Sequence, residues 1–250
     1  MMSLFITELK KIRRRHIGIL FAANLVIDFI WMLWPLNNSD FLYDQEYDYL
    51  LICLPLINAV FLPVILAAAA SRLCDIELKG NTLKMLCTME KRQSIFHTKL
   101  LIGSVYLLLF SLAQTVMIPV LALSLSPKQE LPVARVCLFG ISTFGISLVL
   151  FLIQQSVSLL STNQLFPLFL GVGGSFVGVF TWFFPQLPLR YMLPWGYYCV
   201  VLTVGMSYDE IARDVTYYAT PFPTEFFLGF MAFGVLVYII GRRLFMNREI

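Results

Sequence analysis

Residues 71–99 read SRLCDIELKGNTLKMLCTMEKRQSIFHTK, and on either side of them the chain turns almost wholly apolar. Upstream runs an apolar stretch from about Tyr49 to Ala70, downstream one from about Leu100 to Ser126. A helix needs about 20 such residues to cross a hydrocarbon core of about 30 Å. A polar stretch of this length between two such runs is more than a simple turn. It is a connecting element on one side of a membrane. Working outward, four more runs of spanning length appear, at about His16–Leu36, Val133–Leu159, Phe166–Phe184 and Thr224–Leu244. Pro55 and Pro63 fall inside the second run, where neighbouring helices can satisfy the freed carbonyls. The expected fold is an all-α integral membrane protein with six transmembrane helices, forming a single domain over residues 1–250.

Composition agrees. Of 250 residues, 59% are hydrophobic and 13% charged, with a mean hydropathy of +0.79. A soluble domain carries about a quarter charged residues, so neither a disordered chain nor a single water-soluble domain fits. The first run follows KKIRRRH but has no small-residue cleavage site, and it reads as a retained helix rather than a signal peptide. The five cysteines, at 53, 74, 87, 137 and 199, form no CxxC pair or zinc pattern, and read as reduced, packed thiols.

Basic residues set the orientation. With six spans, 14 of the 18 Lys and Arg fall on one side: Lys10, Lys11, Arg13, Arg14 and Arg15, then Arg72, Lys79, Lys84, Lys91, Arg92 and Lys99, then Arg242, Arg243 and Arg248. Lys128, Arg135, Arg190 and Arg213 fall on the other. The positive-inside rule therefore places both termini and the 71–99 loop in the cytoplasm. A seventh span through Leu187–Met206 would move the last three arginines outside. Arg190, Pro194 and Gly196 also interrupt that stretch. Segment 185–223 is thus expected to be an outer segment that dips into the membrane and returns, lying against protein or a wet cavity.

Two elements are predicted at the cytoplasmic face. In residues 1–15, Phe5, Leu9 and Ile12 recur at helical spacing with charge opposite, the pattern of an interfacial helix. In the 71–99 loop, Gly80 can end the extension of the second span, and Asn81 or Thr82 can cap a new helix. Leu83, Leu86 and Met89 would share one face of it, with Ser94 capping the next helix. The product is a short amphipathic helix parallel to the bilayer, able to pass force from a soluble partner.

Within the spans, Asp28 stands out, with Asn24 one turn earlier on the same face. An intramembrane acid is a functional-site hypothesis by default, so Asn24 and Asp28 are candidates for a substrate path. Asn58, Gln114, Gln154 and Gln155 read as interhelical glue. The fifth span carries two small-xxx-small pairs, Gly171 with Ser175 and Gly174 with Gly178, which predict tight helix packing, within the subunit or against a second one.

Several chemistries have no residues to carry them. There is no GxxxxGK[ST], no HExxH and no GxSxG. The only histidines, His16 and His97, flank cationic span ends. No catalytic, cofactor or metal residues are therefore assigned. Basic runs confined to span ends speak against nucleic-acid binding.

The loop also carries a resemblance. Arg72, Asp75 and Glu77, then Lys79-Gly80-Asn81-Thr82-Leu83-Lys84, then Lys91-Arg92 and Lys99-Leu100 resemble the acid, basic-Gly-x-Thr, basic and Lys-Leu series of ABC-2 type permeases. Asn81 and Glu90 depart from the usual residues. Length and basic N-terminus are most similar to the permeases of lantibiotic-immunity ABC transporters, with relatives in bacitracin-type resistance. The resemblance implies a permease domain over 1–250 in a bacterial plasma membrane, not itself an enzyme. It implies ATP and Mg on separate ABC ATPase subunits, a second permease chain, the same or related, and ATP-driven export of an antimicrobial peptide. Asp75, Glu77, Leu83, Lys84, Leu86 and Met89 would couple to the ATPase. The residues alone leave open an ion-gradient-driven secondary transporter, for which Asp28 speaks, and a non-transporting membrane sensor or assembly factor.

Overall fold

A computed structural model describes residues 15–36, 45–79, 82–124, 130–184, 188–209 and 214–248. The interfacial helix expected over residues 1–15 lies outside the described residues, apart from Arg15. The long elements are α1 (Ile17–Leu36), α2 (Glu46–Lys79), α4 (Arg92–Ser124), α5 (Val133–Leu160), α6 (Leu165–Phe183) and α9 (Thr224–Met246). Between α2 and α4 lies the short α3 (Thr82–Met89). Five of them, α2, α4, α5, α6 and α9, are long and apolar enough to cross a membrane, and α1 is a shorter apolar helix. Each lies within a few residues of an apolar run read from the sequence, except that α2 and α4 extend well beyond theirs at the α3 end. At 34 residues α2 is about 50 Å long, so its last turns project beyond a core of about 30 Å.

The bundle is inverted relative to a water-soluble one. Its exposed surface is apolar: along α4, Leu101, Val105, Leu108, Leu112, Val116 and Val120 all face outward. Its interior holds Asn24, Asp28, Asn58, Gln114, Gln154 and Gln155, all fully or almost fully buried. A hydrocarbon solvent selects this arrangement, because polar groups there must find partners inside the protein. The long α2 is the central post, packed against α1, α4, α5 and α6. Against it, α9 covers α5 and α4 from the far side.

The segment between α6 and α9 differs from a simple dip and is not wholly helical. Its first half is α7 (Leu189–Met192), a 3-10 turn (Pro194–Gly196) and α8 (Tyr197–Val200). This half is built into the bundle: Tyr197 stacks on Phe230 with ring centroids 4.0 Å apart, and the fully buried Tyr198 hydroxyl lies 2.8 Å from Ser147 Oγ. The second half is a small strand pair set on an otherwise all-α membrane protein. Strands β1 (Val204–Asp209) and β2 (Asp214–Ala219) pair antiparallel, with Val204 opposite Ala219 and Asp209 opposite Asp214. The reason lies in the residue types. Both VGMSYD and DVTYYA are too short and too polar to continue a helix through lipid, and DVTYYA is rich in the β-branched and aromatic residues that favour strands. The hairpin is fixed to the start of α2. The Tyr217 backbone N–H donates to Gln45 Oε1 at 2.9 Å, and the Tyr217 ring meets Tyr49 edge-on at 5.9 Å. Arg135 at the start of α5 pairs with Asp48 of α2 at the same end.

Candidate functional site

The α3 end of the bundle is where a polar surface meets a stitched frame. α2 runs to Lys79, α3 begins at Thr82 and α4 at Arg92. Gly80 and Asn81, expected to end one helix and cap the next, lie outside the described residues, while α4 starts two residues before the predicted Ser94 cap. The Ser94 N–H instead donates to Lys91 O at 2.8 Å. Along α3, Met85 is 64% and Met89 72% exposed. Lys84 is exposed beside them, while Leu86 and Cys87 are half-buried. Cys87 packs against the buried cluster of Cys74, Phe96, Leu152, Leu159 and Phe245. Among the described residues of α3, the exposed apolar pair is Met85 with Met89, one turn apart, where the sequence reading put Leu83 and Leu86 with Met89. The side chains of Glu77 and Leu83 lie outside the described residues.

Asp75 does not join that exposed face. It is 7% exposed and pairs with Arg15 at 3.8 Å, while Arg72 Nη1 donates to Arg15 O at 3.0 Å. A turn residue, His16 with φ 51°, brings Arg15 over the end of α2. Lys99 is fully buried and its Nζ donates to Leu73 O at 2.6 Å, tying α4 to α2. Arg92 Nη1 donates to Met246 O at 2.8 Å and Arg248 O at 2.7 Å. Arg248 donates to Leu159 O, and Gln155 Nε2 to Phe96 O at 3.0 Å. Arg92 and Arg248 thus reach carbonyls in the last turns of α9 and α5, where the final carbonyls lack intrahelical donors. Around α3, then, the ends of α2, α4, α5 and α9 are joined into one plate.

Deeper in the bundle, three helices meet on one carboxylate. Gln114 Nε2 of α4 donates to Asp28 Oδ2 of α1 at 2.6 Å and to Asn58 Oδ1 of α2 at 2.9 Å. Asn58 Nδ2 returns a bond to Gln114 Oε1 at 3.0 Å. Asn24 Nδ2 approaches Asp28 Oδ2 at 3.5 Å. All four side chains are fully buried. Asp28 Oδ1 and Asn24 Oδ1 have no donor. The four residues hold α1, α2 and α4 together through polar bonds that lipid cannot replace.

Residues 4–178 match the family model described as ABC-2 family transporter protein. That is well over half of the chain. The chain belongs to the ABC-2 transporter family. It is the membrane-spanning permease component, a non-catalytic subunit that works with ABC ATPase subunits. No curated protein matches this permease.

The small residues of α6 pack within the ABC-2 permease itself. A Cβ on Gly171 would lie 2.9 Å from Pro63 O of α2, and Ser175 Oγ donates to Val60 O of the same helix. On the next face, Gly174 lies against the Trp195 indole, and a Cβ on Gly178 would be 2.7 Å from Trp195 O. The two pairs thus admit α2 on one side and the outer segment on the other. Sequence reasoning missed Arg15 as the partner of Asp75, Met85 on α3 and Lys99 as an internal tie. Met85 was recoverable, since it and Met89 stand four apart.

Proposed function

We propose that the permease moves a lantibiotic-like antimicrobial peptide out of the membrane, giving immunity or resistance, and that α3 is its coupling helix. The peptide class is supported by the loop series from Arg72 to Leu100 and by the basic N-terminus. The observation that carries the coupling role is the exposed Met85–Met89 pair on a helix held by the ends of α2 and α4. An apolar face at helical spacing suits a groove on the ATPase, with Lys84 at its rim and Leu86 beside it. Asp75 acts differently, by holding the end of α2 against Arg15. ATP and Mg belong to the ATPase subunits. A second permease chain, the same or related, completes the transporter. Six spans, with α1 as the first, place both termini and α3 in the cytoplasm on the count of basic residues. The burial of α8 among α2, α5 and α6 supports a re-entrant outer segment. Asn24 and Asp28 would meet the peptide path only when α1 parts from α4.

The test is co-expression with the ATPase and measurement of cell survival against a lantibiotic. Met85→Asp with Met89→Asp should abolish protection and release the ATPase while leaving membrane levels normal. Protection and co-purification at unmodified levels would refute the coupling role. A coupled, ATP-hydrolysing complex that confers no protection would refute the peptide alone.

A further inference from the structure

Between α4, α5 and α9, near the α3 end, a cleft of about 440 Å³ opens on the side of the bundle. Its walls are Leu100, Leu101 and Leu148, and His97 and Tyr238 stand at its polar end. The volume lies within the range of about 300–1,000 Å³ seen for small-molecule sites. His97 Nε2 lies 2.6 Å from Tyr238 Oη, and the two rings stack with centroids 5.8 Å apart. The pair is thus held in one orientation by both contacts. One turn beyond Tyr238 on the same helix face is Arg242, within electrostatic reach of the His97 ring.

Arg242 differs from the basic residues around it. Arg72, Arg92, Lys99 and Arg248 each donate to a backbone carbonyl. Arg242 Nε is buried and has no acceptor. No acidic side chain lines the cleft among the described residues. A buried guanidinium donor lacking an acceptor is costly, and a phosphate matches its fork geometry.

We propose that this cleft binds an anionic phospholipid, with its phosphate at Arg242 and the His97–Tyr238 pair and one acyl chain along Leu100, Leu101 and Leu148. The recess supplies length for a chain, and the cation with two hydrogen-bonding rings beside it supplies preference for net negative charge. A headgroup amine, as in a zwitterionic lipid, would face Arg242 and be repelled. The site does not depend on which side of the membrane the α3 end faces, nor on the transported substrate.

The full chain, purified in neutral detergent, is washed and then offered phosphatidylglycerol, phosphatidylcholine with the same chains, or inorganic phosphate. Bound lipid is quantified by mass spectrometry and thermal unfolding is followed in parallel. Phosphatidylglycerol should be retained and should raise the unfolding temperature more than phosphatidylcholine, and phosphate alone should do neither. Arg242→Gln should weaken phosphatidylglycerol retention about tenfold, as expected for loss of one charge-assisted hydrogen bond. Ser104→Phe, which fills the cleft, should reduce retention of both lipids. Equal retention of the two lipids by the unmodified chain overturns the proposal, whether or not a variant accumulates. So does stabilisation by phosphate equal to that by phosphatidylglycerol, or unchanged retention in Arg242→Gln.

Discussion

Replacing Gln114 with Leu should loosen the bundle more than any other single change to its polar interior. Gln114 makes three bonds to two helices: one to Asp28 and a reciprocal pair with Asn58. Interhelical hydrogen bonds in membranes average about 0.6 kcal/mol each, so three of them amount to about 2 kcal/mol. Counting instead the two buried groups left without partners, at about 1–3 kcal/mol each, gives up to about 6 kcal/mol. The lower figure already lowers the unfolding temperature by about 4–8 °C for a chain of this size. The same account predicts the sign of two companions. Asp28→Asn keeps an acceptor for Gln114, removes a buried acid and offers an N–H to the donor-less Asn24 Oδ1. It should therefore match or exceed the unmodified chain in stability. The double change Asp28→Leu, Gln114→Leu should be more stable than Gln114→Leu alone, because removing both members of a buried polar pair costs less than removing one. Thermal unfolding in detergent, read by size-exclusion chromatography of the heated sample, measures all three. If Gln114→Leu unfolds at the unmodified temperature, or if the double variant is the less stable, the polar quartet is not what binds α1 to α4.

Other outcomes follow from the same structure. Gly174→Leu should reduce accumulation sharply, because the Trp195 indole already fills the space, whereas Gly173→Ala, with nothing within 4 Å, should be silent; immunoblotting of membranes decides it. Introduced cysteines at Ser207 and Met85 should react with membrane-impermeant reagents from opposite sides, and reaction of both from one side would refute the six-span orientation. Among the native thiols, exposed Cys137 should be alkylated by a lipid-soluble maleimide well before buried Cys199; peptide mass mapping after brief exposure reads the order. Asp75→Ala should lower stability and leave Arg15 more open to proteolysis or labelling, while Lys84→Glu should change ATPase co-purification little, since exposed ion pairs contribute about 0–1 kcal/mol.

The apolar runs made most of the fold legible. A span must be long and apolar regardless of what surrounds it, so α5 and α9 begin at Val133 and Thr224, where the sequence reading placed them. The polar residues inside were equally plain, because Asp28, Asn58 and Gln114 interrupt otherwise hydrocarbon-compatible runs. Their meeting on one carboxylate was not, since that depends on the rotation of three helices about their own axes. The hairpin was hidden for a different reason. Its strands are six residues each, and in so apolar a chain a short Tyr- and Val-rich stretch does not stand apart from a broken helix. On α3, periodicity gave the helix but not its facing. Cys87 packs against a cluster that includes Phe245, which lies far away in sequence.

The continuity of α2 has a mechanical corollary. A single rod starts beneath the hairpin, where Gln45 and Tyr49 hold Tyr217, and ends beside α3. Pro63 lies at its midpoint, with Pro55 two turns before it, and a proline removes a helix hydrogen bond and eases bending there. A tilt of 10° about that midpoint would carry each tip about 4 Å, given a half-length of about 24 Å, and in opposite directions. Transmission from the α3 face to the hairpin face therefore needs no relay of side chains while the rod tilts as one piece, and bending at Pro63 is where the motions of its two tips would come apart.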